Sequence, residues 1–154
     1  MKTEVNEDVD FDNALYYHII CYESDKACSI KDYTNIVQHE NSPKANHQKW
    51  RLIKLSDGNY EIMSENPEDK CRGKCLTCID NKQQVVLQNW KVSNNDPQRW
   101  HFHKIPGSND LYRIRANGSE YSLTVKDCSP DEDAPVVIEM YRERECQKWR
   151  LEVV

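Results

Sequence analysis

Three triplets, Gln48-Lys49-Trp50, Gln98-Arg99-Trp100 and Gln147-Lys148-Trp149, set three of the chain's four tryptophans at steps of 50 and then 49 residues. A period of that size marks a fold assembled from repeated units, each too small to bury its apolar face alone. The segments around the triplets align as repeats over 15–55, 59–105 and 111–154. Each repeat opens on an aromatic–polar–aliphatic strand: Tyr17-His18-Ile19, Tyr60-Glu61-Ile62 and Tyr112-Arg113-Ile114. A second strand keeps a hydroxyl at its centre: Cys28-Ser29-Ile30, Leu76-Thr77-Cys78 and Leu123-Thr124-Val125. Ile36-Val37-Gln38, Val86-Leu87-Gln88 and Val137-Ile138-Glu139 form a third, and each triplet tryptophan opens a fourth. Period-two alternation in runs this short predicts strands, and no stretch carries a long helical period. The expectation is an all-β chain of about twelve short strands, four to a repeat.

Two departures from strict repetition stand out. Repeat two carries about five extra residues, which fall in the polar stretch from Glu65 to Lys74 and read as a loop. Met1 to Asn13 precedes the first repeat and is rich in acidic residues, which predicts a flexible acidic tail followed by one domain from residue 14 to 154. Asp32, Asp80 and Asp127 each follow the second-strand hydroxyl by three residues and are read as turn-closing groups.

Charge excludes some classes of partner. Lysine and arginine total 21 against 26 acidic residues, and they do not bunch, so nucleic acid is not expected as a target. No apolar run approaches the roughly 18 residues of a membrane span. The absence of a leader-like apolar stretch at the start predicts a cytoplasmic protein, or one exported by a non-classical route.

Seven cysteines stand at 21, 28, 71, 75, 78, 128 and 146. The cytoplasmic expectation carries reduced thiols with it. Cys71-x3-Cys75-x2-Cys78 has three potential zinc thiolates, but no fourth ligand follows at finger-like spacing, so no metal is expected. Cys28 and Cys78 align with aliphatic positions of the other repeats and read as small buried hydrophobes, whereas Cys71 falls in the insertion. No nucleophile elbow, phosphate-binding glycine loop or His-Glu-x-x-His motif occurs, and neither an enzyme nor a cofactor is expected. His101 and His103 alternate on one strand and are read as sharing an exposed face.

Three Gln-x-Trp repeats with this strand order resemble the ricin B-chain type lectin domain, a β-trefoil, over about residue 14 to the end. The resemblance implies six strands closing a barrel about a pseudo-threefold axis, with the three tryptophans in a shared core and the three glutamines bonding backbone. It also implies a sugar pocket in one or more repeats. In the family an aromatic ring stacks on the sugar, an Asp on the second strand accepts from its hydroxyls, and an Asn before Gln-x-Trp adds a contact. This chain departs from that pattern. Ser29, Thr77 and Thr124 stand at the Asp position, and Glu40, Trp90 and Tyr141 at the aromatic one. His47, Pro97 and Cys146 stand where the Asn would be, and Val92 stands near the second cysteine of the family's usual disulfide.

The expected carbohydrate-binding residues are therefore Thr77, Trp90, Asn94, Asn95 and Asp96 in repeat two, then Thr124 and Tyr141 in repeat three, with repeat one silent. The expected function is a non-catalytic, lectin-like module with degenerate sugar sites and a glycan or glycoprotein as partner. The alternative is a trefoil that binds a protein, such as a protease inhibitor acting through the Glu65–Lys74 loop.

Overall fold

The computed structural model describes residues 9–42, 44–68, 70–79, 83–91 and 96–154, with Asp96 described by its backbone alone. Repeat one holds β1 (Tyr17–Cys21), β2 (Ala27–Lys31), β3 (Asn35–His39) and β4 (Trp50–Lys54). Repeat two holds β5 (Tyr60–Ser64), β6 (Lys74–Cys78), β7 (Val85–Asn89) and β8 (Trp100–Lys104). Repeat three holds β9 (Leu111–Ala116), β10 (Tyr121–Val125), β11 (Val136–Met140) and β12 (Trp149–Val153). All four predicted strands appear in each repeat.

The outer strands of each repeat close a ring. β1 pairs with β4 and β12, β5 with β4 and β8, and β9 with β8 and β12, all antiparallel. A closed ring of six strands leaves none with a free edge. The inner strands form three hairpins, β2–β3, β6–β7 and β10–β11. These meet one another through Asn35↔Val86 and the bridges Val37↔Pro135 and Gln84↔Val137. This is a β-trefoil.

The repeated triplets do the same work three times. Trp50, Trp100 and Trp149 are fully buried, and each indole N–H donates to a second-strand carbonyl: Cys28 at 3.1 Å, Leu76 at 3.1 Å and Leu123 at 3.0 Å. A buried indole contributes a large apolar area, and the bond removes the cost of hiding its N–H. Each glutamine then clamps the chain that leaves its hairpin. Gln98 donates to Asn89 O (2.7 Å) and accepts from Lys91 N, Gln147 donates to Met140 O (2.8 Å) and accepts from Arg142 N, and Gln48 does the same with Glu40 O and Ser42 N. A glutamine amide can donate and accept at once, which the ionised glutamate of the same length cannot do.

Three sequence expectations need correction. The flexible tail does not extend to Asn13: residues 1–8 lie outside the described residues, but Phe11 plugs the barrel. Its ring lies 5.9, 5.2 and 5.3 Å from Tyr17, Tyr60 and Tyr112, which open the first-strand triplets of the three repeats, and 5.1 Å from Phe102. The Tyr60 hydroxyl donates to Val9 O and accepts from Phe11 N, which pins the strap across the axis. A lone aromatic in a polar stretch gave no periodic signal, yet the barrel end needs one apolar group to fill it. Second, the thiols are not all reduced, because Cys128 and Cys146 form a disulfide. It joins the turn after β10 to the turn before Trp149, the kind of bond that persists in an oxidising compartment. Third, Cys71 is a core residue, not a loop thiol: it is fully buried, and with buried Asn66 it anchors the repeat-two insertion.

The turn-closing aspartates act through the backbone. Asp32 and Asp127 have φ of 53° and 57°, the left-handed region that aspartate tolerates better than most residues. Asp80 lies outside the described residues.

Candidate functional site

The second-strand hydroxyls sit below the surface. Thr77 and Thr124 are buried, and each donates to a carbonyl two residues back, Cys75 O at 3.0 Å and Ser122 O at 2.8 Å. Each also accepts from its repeat's glutamine, Gln98 or Gln147, at 3.2 Å. The two expected sugar contacts are thus spent on the fold. A side chain with one proton to give, held on both sides, tightens the Gln-x-Trp turn instead of meeting solvent.

The neighbouring strand supplies what the threonine does not. Met63 of β5 pairs with Cys75 of β6, and carrying that register two residues on sets Glu61 across from Thr77. The registers Ile20↔Ala27 and Ser122↔Arg115 set His18 beside Ser29 and Arg113 beside Thr124 in the same way. The three repeats therefore carry an imidazole, a carboxylate and a guanidinium at one place. Each touches the segment that follows its third strand. The His18 Nδ1 shares a hydrogen bond with Asn41 Oδ1 at 2.6 Å, Glu61 Oε2 accepts from the Trp90 indole N–H at 2.6 Å, and the Arg113 guanidinium lies 4.4 Å from the centre of the Tyr141 ring.

Repeat two is the open case. Trp90 is 49% exposed, against zero for the other three tryptophans, and among the described residues no ring or cation stacks on it. Its N–H is fixed by Glu61, which is itself buried. Burial pushes the Glu61 carboxyl up from its ordinary value, against the pull of the Trp90 N–H and of Arg99. Burial, with Glu61 beside it, pushes the Cys75 thiol up to about 12, so it stays a neutral packing group. Oε1 of Glu61 makes no hydrogen bond to any described residue. A flat indole beside a carboxylate with a free oxygen can offer a π-face to C–H groups and an acceptor to hydroxyls.

Asn94 and Asn95 lie outside the described residues. Asp96 opens the short 3-10 turn Asp96–Gln98, whose glutamine is the clamp on Thr77. In repeat three Tyr141 is half-buried under Arg113, which also donates to Ser122 Oγ at 2.7 Å and Glu120 O at 3.1 Å. One face of that ring is taken. Glu61 and Arg113 lie on the first strand, away from the second-strand position to which the family resemblance points. The available signal was an ionisable residue at the centre of the first strand in all three repeats.

Comparison with known proteins fits this geometry. Residues 70–139 match the family described as ricin-type beta-trefoil lectin domain-like. Over that stretch the chain resembles a ricin-type β-trefoil lectin-like domain. Among solved structures this trefoil is similar to a designed 3-fold symmetric protein, ThreeFoil, at 25% identity and a TM-score of 0.76, covering 88% of this chain and 96% of that one. It is similar to a Macrolepiota procera ricin B-like lectin in complex with lactose, at 16% identity and a TM-score of 0.77 over 94% of this chain and 99% of the lectin. An exo-beta-1,3-galactanase from Clostridium thermocellum aligns at 19% identity and a TM-score of 0.77, where 94% of this chain matches only 31% of the enzyme. No curated protein matches the chain in sequence.

Proposed function

We propose that this trefoil is a non-catalytic carbohydrate-binding module whose working site is in repeat two. The observation that carries the reading is Trp90: half-exposed, its N–H tied to buried Glu61, with nothing stacked on its face among the described residues. A sugar presents a C–H face that packs on an aromatic ring and hydroxyls that need fixed acceptors, and a shallow site of this kind supplies both. Glu61 takes the part the family gives to the second-strand aspartate, offering its free oxygen to a hydroxyl. Asn94, Asn95 and Asp96 add polar contacts, by their place in the sequence between Trp90 and the Gln98 clamp. Thr77 supports the floor from beneath without touching the sugar. Tyr141 and Thr124 form a weaker second site, since Arg113 already covers the tyrosine. The match to under a third of a galactanase chain supports a module that can serve beside a catalytic domain.

A glycan array probed with wild type, Trp90→Ala and Tyr141→Ala tests this. The expected result is selective binding that Trp90→Ala removes and Tyr141→Ala leaves within a few-fold. Undiminished binding by Trp90→Ala overturns the assignment to repeat two.

A further inference from the structure

The outer faces of the three barrel hairpins differ in charge. On β4–β5 the outward positions are Arg51, Ile53, Glu61 and Met63, and Arg51 lies 3.0 Å from Glu65. On β12–β1 they are Arg150, Glu152, His18 and Ile20, and Arg150 contacts Glu152 at 3.1 Å and Asp25 at 2.7 Å. Each of these two faces brings its own carboxylates. On β8–β9 the four positions are His101, His103, Arg113 and Arg115, paired as His101↔Arg115 and His103↔Arg113. All four are half-buried, and the two imidazoles lie 4.2 Å apart.

We infer that the β8–β9 face is an oxyanion-binding site, taking a sulfate or phosphate group between Arg115, Arg113 and the two histidines. Four nitrogen-bearing side chains crowd one face, and the carboxylates near them among the described residues are Glu120, 3.8 Å from Arg113 and mostly exposed, and Asp57, which Arg99 already holds at 2.7 Å. Nε of Arg115 and Nε2 of His103 are buried and have no hydrogen-bond partner among the described residues. Buried donors of this kind are costly unless something accepts from them. A tetrahedral oxyanion fits the need, because it has several acceptor oxygens and a charge opposite to the cluster's. Other nitrogens orient the cluster: Arg113 Nε is bonded to Ser122 Oγ, and His101 Nδ1 pairs with Asn59 Oδ1 at 3.2 Å. The face is therefore held in place before any anion arrives. This site does not depend on Trp90.

The histidines report on it. Burial, then His101, Arg115 and Arg113, hold His103 down to about 4, and burial and Arg115 lower His101. The other groups facing the pair are Asp57, held by Arg99 at 2.7 Å, on the β4–β5 turn, and Glu120 and Tyr141 beside Arg113. A bound anion favours the charged imidazole and must raise both values, and by reciprocity binding tightens as pH falls.

The test is titration of the full chain with sodium sulfate and, separately, inorganic phosphate, with ionic strength held by chloride, following the histidine ring signals by NMR. The expected result is a saturable shift with a rise of about one pH unit in the His103 midpoint, lost in Arg115→Met and kept in Arg142→Ala. Tighter sulfate binding assigns the site to sulfate esters, and tighter phosphate binding to phosphorylated groups. If Arg115→Met fails to fold, His103→Gln is expected to weaken binding about tenfold. Shifts no larger than in chloride alone, or unchanged in the folded variants, overturn the inference.

Discussion

Repeats two and three share one frame and differ in what stands on it. Below the surface they are nearly superposable: Gln98 and Gln147 clamp Thr77 and Thr124 at the same 3.2 Å, and Trp100 and Trp149 reach second-strand carbonyls at 3.1 and 3.0 Å. Above it, Glu61 leaves the Trp90 face open and Arg113 covers Tyr141. Repeat three is also cross-linked by Cys128–Cys146, whereas repeat two is anchored by buried Cys71 and Asn66. The lesson is that the core obeys the threefold repeat because its axis is shared, while each outer site is free to change alone. One residue on the first strand sets whether an aromatic ring is offered to solvent or used up.

The largest effects fall on the frame. Trp100→Ala and Trp149→Ala are each expected to cost about 3–5 kcal/mol, measured by denaturant unfolding. Equal losses sharpen the equivalence of the two repeats, and a gap of more than about 2 kcal/mol breaks it. The next effect is confined to repeat three. Reducing the bond between Cys128 and Cys146, 18 residues apart, is expected to cost about 3 kcal/mol on the chain-entropy account. Repeat two contains no such bond among its described cysteines, so the stability change caused by Cys75→Ala is expected to be the same with and without reductant.

The core was legible in the sequence because burial there is periodic. Tyrosine, aliphatic and tryptophan positions recur at one spacing, and threefold packing needs that recurrence. The strap at Phe11 was not legible, since a plug on the axis occurs once and leaves no repeat to align. The disulfide was hidden because its partners lie outside the strand pattern, Cys128 in a turn and Cys146 beside the glutamine. The site was half legible. The place of Trp90 after the third strand is readable from the residues, whereas the burial of the Thr77 and Thr124 hydroxyls against Gln98 and Gln147 is not. Glu61 emerges only once the β5–β6 register brings it across from Thr77.

A smaller effect concerns pH. If the Glu61 carboxylate accepts from a sugar hydroxyl, protonating it removes that acceptor. Glycan binding is then full above the raised Glu61 value and falls as pH drops through it, starting above the ordinary glutamate range. Arg99 and Cys75 lie beside the same carboxyl, and the Cys75 thiol, pushed up to about 12, stays neutral in that window. Glu61→Gln is expected to flatten this profile and weaken binding about tenfold, while Arg113→Gln leaves the profile in place. A flat wild-type profile between pH 4 and about 7 contradicts the part given to Glu61.

The most direct measurement follows the four indole N–H signals by 15N NMR during titration with the strongest array glycan. The account predicts that the Trp90 signal alone moves to saturation, while those of Trp50, Trp100 and Trp149 stay where their carbonyl bonds hold them. Saturable glycan binding with a stationary Trp90 signal contradicts it.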